Sequence, residues 1–185
     1  MRLFIAVNFE ETVLDAIEAA LGDFPIRRPP WRWANRTTWH VTLKFLGDTD
    51  AAAVEAIGAV LADVAARHGS FDVALGALGG FPNLYRPRVL FYDVESGAEA
   101  MESICEDINR SLANQLGIRA ETKPFRAHVT VARVKTRIGR PAVDALRSAA
   151  GLEGVSQTVT GFDLMESQLG KKGSKYTCLK GFALG

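Results

Sequence analysis

Cysteine and histidine are scarce in this chain, whose 185 residues include two cysteines and three histidines. Cys105 and Cys178 stand far apart and outside any C-x-x-C pattern, so the sequence predicts neither a zinc site nor a disulfide framework, and we expect both thiols to be buried. No apolar run reaches the roughly 18 to 20 residues that span a bilayer, and the N-terminal segment lacks a small-residue cleavage site. We therefore expect a cytoplasmic protein.

Excess charge is also missing, since the formal net charge is +1, which argues against a general polyanion binder. The cations are nevertheless unevenly distributed: residues 24–47 and 122–143 contain no carboxylate. Their cations are Arg27, Arg28, Arg32, Arg36 and Lys44 in the first window and Lys123, Arg126, Arg133, Lys135, Arg137 and Arg140 in the second. Two such windows, each beside one copy of a repeated motif, indicate an anionic ligand, although each window alone is more typical of a solvated basic face.

Apolar spacing predicts two similar series of strands and helices. The strand-like segments 2–9 and 88–96 are each followed by an amphipathic helix, and a helix capped by Asp50 is expected to end at Gly69. The second half thus repeats the first at an offset of about 87 residues, which is too long for a solenoid unit. We expect two pseudo-symmetric lobes whose equivalent strands flank one cleft.

Both halves contain the same short motif, HVTLKFLG at 40–47 and HVTVARV at 128–134. Because side chains alternate along a strand, His40 and Thr42 share one face, and His128 and Thr130 share the equivalent face. The intervening apolar residues predict that the other face is buried. His68 lies near a predicted helix C-terminus, and we assign it no role.

Two imidazoles across a cleft can perform acid-base chemistry, because histidine titrates near neutral pH. A phosphodiester displacement needs one group that takes a proton from the attacking water and one that protonates the leaving oxygen. Threonine hydroxyls and nearby arginines can hold the phosphate oxygens. We expect no cofactor and no metal, since the chain offers no cluster of histidine and carboxylate at ligand spacing.

These paired motifs resemble the two-histidine (2H) phosphoesterase superfamily, in particular the RNA 2′,3′-cyclic phosphodiesterase family, historically called 2′-5′ RNA ligases. The segments RLFIAV, HVTLKFLG, PFRAHVTVAR and LMESQLGKKGSKYTCL carry the resemblance, which runs nearly end to end. It implies opening of an RNA 2′,3′-cyclic phosphate to a 2′-phosphomonoester, and joining or cleavage of 2′-5′ linkages in some members. It further implies His40 as proton donor, His128 as proton acceptor, Thr42 and Thr130 as phosphate-holding hydroxyls, and Arg133 as a substrate-binding arginine.

Two positions depart from the simplest form of this pattern. On an ideal strand Arg133 faces away from His128, so its participation requires a twist, a bulge or the end of the strand. Ala127 stands where the family commonly has proline, which bears on strand rigidity and leaves the chemistry intact.

Further substrate-binding candidates surround the motifs. Trp31 and Trp33, which lie between arginines and prolines in a predicted loop, are candidates for stacking on RNA bases. By strand parity Lys44 shares the His40 face and is a phosphate-binding candidate, although a solvated strand-end lysine has the same pattern. Tyr176 and the GKKGSKY turn are expected to border the cleft, whereas Trp39 and Phe45 are expected in the core.

The sequence thus predicts an α+β fold in which residues 1–185 form a single domain of two internally repeated lobes. Each lobe is expected to contain a largely antiparallel sheet with helices on its outer face, with a central cleft between the sheets. The predicted partners are RNA ends or nucleotides bearing a 2′,3′-cyclic phosphate. Two alternatives stay open: a phosphodiesterase for small cyclic nucleotides or ADP-ribose cyclic phosphate, and a non-catalytic module that binds RNA ends. Without a heptad repeat, a monomer is expected.

Overall fold

The computed structural model describes residues 1–22, 31–149, 151–170 and 173–185. The strands of these residues are β1 (Arg2–Asn8), β2 (Trp31–Trp33), β3 (His40–Asp48), β4 (Phe71–Phe81), β5 (Val89–Ser96), β6 (His128–Val134), β7 (Ser156–Val159), β8 (Gly161–Gly170) and β9 (Gly173–Ala183). The helices are α1 (Glu11–Gly22), α2 (Val54–Ala65), α3 (Ala98–Leu116) and α4 (Arg140–Arg147). Four cations of the sequence patterns lie outside the described residues: Arg27 and Arg28 of the first basic window, and Lys171 and Lys172 of the GKKGSKY turn.

All the strands join in one antiparallel sheet of order β7-β4-β5-β6-β3-β1-β8-β9, and β2 pairs with β6. Helices and antiparallel strands together confirm the predicted α+β class. β3 of the first half pairs with β6 of the second half, so the two halves share one continuous sheet. The cleft, which was expected between two sheets, therefore lies on one face of a single curled sheet. β6 pairs with β3 at Val129 and with β2 from Ala132 to Val134, which means that β3 and β6 diverge beyond their junction.

β1 lies near the middle of this sheet and is buried on both faces. Leu3, Ile5 and Val7 belong to the main hydrophobic core. Phe4 faces the opposite side, where it packs in a small cluster against Tyr176 of β9. The strand therefore supports the core on one face and an aromatic surface on the other.

The helices bury the apolar stripes that the sequence predicts. Val13, Ile17 and Leu21 of α1 are buried at intervals of one helical turn. α2 packs against α3, β8 and β9, and α3 packs against β3 and β5. The predicted cap at Asp50 is present, but it accepts from the backbone of Ala52 and so caps a short 3-10 turn that precedes α2.

The free cysteines differ in environment: Cys105 is buried as expected, whereas Cys178 is exposed on β9, so that prediction was wrong for Cys178. Within the described ranges, no helix is long and apolar enough to cross a membrane.

Candidate active site

The two histidine motifs meet at the junction of β3 and β6, where Val41 is the Cα partner of Val129. Both valines are buried in the core. Because the strands are antiparallel, the same register places His40 beside Thr130 and His128 beside Thr42, on the face opposite to the valines. The two motifs are therefore related by an approximate two-fold axis through the Val41–Val129 pair.

This face forms the floor of a cleft of about 540 Å³. The side chains of His40, Thr42, His128 and Thr130 all line it, and the structure thus brings the four predicted motif residues together. Its remaining lining includes Arg2, Phe4, Phe45, Glu121, Lys123, Arg126, Arg133, Leu169 and Tyr176. Across the described part of the chain, no three histidine, cysteine or carboxylate side chains are grouped as a metal site would require.

His40 lies between aromatic rings. Phe4 stacks on the imidazole at a centroid distance of 5.0 Å, and Tyr176 meets it edge-on at 5.4 Å. The pKa of His40 is lowered to about 4, chiefly by burial and to a smaller extent by the positive charge of a protonated His128, while a hydrogen bond at the Thr38 backbone acts in the opposite direction. The ring is thus neutral in the free cleft at pH 7, with its Nε2 3.0 Å from the hydroxyl of Thr42.

His128 is held in one tautomer by the backbone. Its Nδ1 lies 2.7 Å from the carbonyl oxygen of Arg126. A carbonyl can only accept a hydrogen bond, so Nδ1 carries the proton and Nε2 of the neutral ring is free to take one. Burial lowers the pKa of His128, and this hydrogen bond partly offsets the effect. Phe81 and Phe91 meet the ring edge-on at centroid distances of 5.2 and 5.3 Å.

A bulge in β6 brings Arg133 to the cleft. Leu90 of β5 pairs with Ala132, but the next β5 residue, Phe91, pairs with Thr130, so one extra β6 residue stands between these pairs. The bulge reverses the alternation of side chains beyond Thr130. Arg133 is consequently exposed in the cleft, and the bulge is one of the irregularities that its participation requires.

The same irregularity in β3 directs the ammonium of Lys44 away from His40, although Lys44 is among the residues that line the cleft. Ile5 of β1 pairs with Lys44 and Ala6 pairs with Thr42, so β3 also carries an extra residue here. Lys44 is only 1% exposed, and its Nζ donates to Asn109 Oδ1 at 2.6 Å and to the Arg119 carbonyl at 3.0 Å. Burial lowers its pKa. The parity argument that placed Lys44 beside His40 was therefore wrong.

The tryptophan candidates also lie elsewhere. Instead of forming a loop, Trp31 and Trp33 belong to β2, where they pair with Val134 and Ala132 of β6. Trp31 is buried in the main core, and Trp33 packs against it with partial exposure. Neither residue lines the cleft, so the structure does not support the prediction that they stack on bases.

Two aromatic rings do border the cleft. Tyr176 lies there as expected, in edge-on contact with both Phe4 and His40. Phe45, which was expected in the core, is instead 63% exposed because of the bulge, whereas Trp39 is buried as predicted. Phe45 occupies the position in β3 that Arg133 occupies in β6, five residues after the histidine. Comparing the two motifs residue by residue could have identified it.

The basic windows are only partly gathered at this site. Arg36 turns away from the cleft to the carboxylates of Glu11, Asp15 and Glu18. Arg126 was not singled out from the sequence, yet it lines the cleft. Its guanidinium lies 2.9 Å from Asp93 Oδ1 and about 5 Å from the ring centres of Phe81 and Phe91.

Comparison with known families gives a match over most of the chain: the family model of the 2′-5′ RNA ligase superfamily covers residues 11–171. This chain belongs to the 2′-5′ RNA ligase superfamily. Its resemblance to 2H phosphoesterases, seen first in the paired motifs, is thereby confirmed.

Members of the 2′-5′ RNA ligase superfamily align with nearly the whole chain. The RNA 2′,3′-cyclic phosphodiesterase of Thermus thermophilus is 34% identical over 190 residues, which cover 100% of this chain and 90% of the relative. The protein of the same name from Aquifex aeolicus is 32% identical over 155 residues, with 83% and 82% covered.

Solved structures share the fold. The crystal structure of TT0787 from Thermus thermophilus has a TM-score of 0.82 at 32% identity, covering 100% of this chain and 98% of that one. E. coli LigT complexed with 3′-AMP has a TM-score of 0.79 at 23% identity, covering 99% and 97%. The curled sheet and its helices are therefore a fold that this chain shares with both structures.

Proposed function

We propose that this protein hydrolyses 2′,3′-cyclic phosphate ends of RNA to 2′-phosphomonoesters by acid-base catalysis between two histidines, without a metal. The observation that carries the proposal is the symmetric placement of His40 and Thr42 against His128 and Thr130 on the floor of one cleft. The activity of the Thermus and Aquifex relatives, as their names give it, supports the same reaction.

In this reaction His128 acts as the general base. Its Nδ1 is held by the Arg126 carbonyl, so its unprotonated Nε2 takes a proton from water as the water oxygen bonds to phosphorus. On the opposite side of phosphorus the bond to the 3′ oxygen breaks. His40 donates a proton to that oxygen, and the product carries a 2′-phosphate and a free 3′ hydroxyl.

The threonines and Arg133 hold the phosphate during the displacement. The hydroxyls of Thr42 and Thr130 donate hydrogen bonds to the non-bridging oxygens, whose charge must be stabilised in the transition state. Arg133, exposed in the same cleft, adds charge-assisted hydrogen bonds from its guanidinium. The contact between Thr42 and His40 Nε2 in the free cleft opens when the phosphate enters.

Binding of the negatively charged substrate favours the protonated form of His40, which is the form that can donate a proton. Burial keeps His40 neutral in the empty cleft, but a phosphodiester anion beside the ring favours the imidazolium and raises its pKa. His40 therefore becomes an acid when the substrate is bound, while His128, closer to Arg126 and Arg133, stays a base. Phe45 and Tyr176 offer ring faces for the terminal base, a mode of recognition that tolerates any base.

Incubation of the full chain in EDTA with an oligoribonucleotide ending in a 2′,3′-cyclic phosphate tests the proposal. We expect turnover to a 2′-phosphate, identified by phosphorus NMR, and its loss in His40→Ala and His128→Ala. Loss of wild-type turnover in EDTA that a divalent cation restores would overturn the metal-free mechanism. A 3′-phosphate product would mean that the 2′ oxygen is the leaving group.

The same experiment separates the alternatives. Turnover of cyclic mononucleotides or ADP-ribose cyclic phosphate in preference to the oligonucleotide would indicate a small-molecule phosphodiesterase. Binding of the oligonucleotide without turnover would indicate a non-catalytic module for RNA ends. Joining of 2′-5′ ends is assayed with the reaction product as substrate. The cytoplasmic location, the monomeric state and the single-domain organisation of residues 1–185 stay predictions from the sequence.

A further inference from the structure

A second depression lies at the end of β6, next to the catalytic cleft. It has a volume of about 420 Å³ and is lined by Arg86, Pro87, Arg88, Val134, Lys135, Thr136, Arg137 and Ile138. Four of these residues are cations, all of them exposed, and none of the lining residues is acidic. We call this surface the basic depression.

The cations of the basic depression have no carboxylate partner, unlike four of the arginines elsewhere in the described residues. Arg36, Arg67, Arg110 and Arg126 each form an ion pair with aspartate or glutamate. Over the described ranges, no ion pair involves the four cations of the depression. Their side chains are therefore available to an anion from outside the protein. Such an anion would also reduce the repulsion between these neighbouring positive charges.

A pair of like charges lies beside the cleft at the end of β6. Arg32 of β2 is the direct cross-strand partner of Arg133 of β6, so the two exposed side chains share one face of the sheet. Like charges placed directly opposite each other destabilise a sheet, and an anion between them removes that cost. Arg133 lines the cleft and Lys135, two residues farther along the chain, lines the depression, so cations of the two sites lie close together at the end of β6.

The chemistry of the substrate indicates what this surface binds. A 2′,3′-cyclic phosphate is the 3′ end of an RNA strand, so the rest of the strand must leave the cleft on its 5′ side. Lys135 lies two residues past Arg133 and Arg137 lies four past it, at most roughly 14 Å along the chain. That length corresponds to a few nucleotides of a stacked strand.

We propose that the basic depression binds the phosphates of the nucleotides 5′ to the cyclic end, and that the protein thereby acts on single-stranded RNA in preference to free cyclic mononucleotides. This inference rests on the proposed function, because it takes the cyclic phosphate to lie between His40 and His128. Phosphate contacts position a strand without reading its sequence, so the preference is for length.

The test compares two double variants that lose the same charge. Arg86→Gln with Arg137→Gln removes two cations of the depression, whereas Arg110→Gln with Arg119→Gln removes two cations that line neither the depression nor the cleft. Binding of a fluorescent single-stranded oligoribonucleotide with a 3′-phosphate end is measured by anisotropy over a salt series. Thermal unfolding verifies that both variants fold, and Arg88→Gln with Lys135→Gln replaces the first variant if it does not.

We expect the first variant to lose roughly tenfold in RNA affinity at low salt, and its slope of log affinity against log salt to decrease by about 1.4, since each phosphate contact to a single strand contributes about 0.7. The ratio of kcat/KM for the oligonucleotide to that for a cyclic mononucleotide should fall in parallel, and the control should keep both properties. Equal affinity, slope and ratio in the two variants would overturn the proposal. The wild-type protein could hydrolyse no cyclic phosphate end while the salt dependence of RNA binding still decreases in the depression variant. That result would contradict the proposed function and support RNA binding at the depression.

Discussion

Val41 and Val129 pair across the junction of β3 and β6, with their side chains in the core and both histidines on the opposite face. This one contact relates His40 to His128 and brings each histidine next to the threonine of the other motif. Burial of the valines therefore stabilises the fold and also sets the geometry of the candidate site.

Removal of either histidine should abolish most of the activity. We expect His40→Ala and His128→Ala each to lower kcat by about 10²- to 10⁴-fold, which is the usual contribution of a general acid or base. The fold-decrease of kcat in the double variant should be smaller than the product of the fold-decreases in the two single variants, because both histidines act in one displacement. Steady-state assays in EDTA measure these effects. His68→Asn, which alters a histidine bonded to Asp107 and outside the cleft, serves as the control.

The two roles can be separated with a different leaving group. An aryl phosphodiester releases an oxygen that needs no proton, so His40→Ala should retain far more of its activity on this substrate than on the cyclic phosphate. His128→Ala should remain impaired on both, because water must still lose a proton. The reverse pattern would exchange the assignments of acid and base.

The pH dependence of kcat/KM should reflect the buried state of the histidines in the free protein. Burial disfavours the charged ring, so the pKa of His40 falls to about 4 and that of His128 falls below its usual 6.5. The acid must be protonated and the base neutral, so we expect a bell-shaped profile of kcat/KM whose decrease on the alkaline side has an apparent pKa below 6.5. The two values belong to the coupled pair.

The profile of kcat should lie at higher pH, because it reports the complex in which the phosphate anion raises the pKa of His40. Initial rates at saturating and at limiting substrate over roughly pH 4 to 9 measure both profiles. Identical profiles would contradict the idea that the substrate charges His40.

Lys44 should prove structural. In Lys44→Met the acceptors Asn109 Oδ1 and the Arg119 carbonyl lose their shared donor, which should lower the free energy of unfolding by about 1–3 kcal/mol. Catalysis at a temperature where the variant is folded should change little. Lys175→Met, at an exposed lysine of β9, should alter neither property. Loss of activity at unchanged stability would instead assign Lys44 to the phosphate.

Phe45 should bind the base. Stacking on an aromatic ring contributes about 1–3 kcal/mol per base, so Phe45→Ala should raise KM roughly 5- to 100-fold, and Phe45→Trp should restore it. The KM for ribose 2′,3′-cyclic phosphate, which has no base, should change little in Phe45→Ala. If the alanine variant loses activity equally on both substrates, Phe45 acts on the site in some other way.

The sequence predicted the histidine pair because alternation along a strand depends only on neighbouring residues. His40, Thr42, His128 and Thr130 lie before the bulges and were placed correctly. Lys44 and Phe45 lie after the bulge and were placed on the wrong faces, since a bulge depends on the register with β1, which the local sequence does not specify. Trp31 and Trp33 were misplaced for a similar reason, because their short strand exists through pairing with β6, which is distant in the sequence.

The matched bulges expose one of the differences between the two similar halves in the cleft. Each bulge turns the fifth residue after its histidine into the cleft, where the first half presents the ring of Phe45 and the second half presents the guanidinium of Arg133. A cleft with a two-fold axis would accept a nucleotide in either of two opposite directions. In the proposed reaction the ring of Phe45 at one end and the guanidinium of Arg133 at the other distinguish these two directions, with the base toward Phe45 and the strand toward Arg133. A symmetric pair of histidines thus lies in a cleft whose two ends have different chemistry.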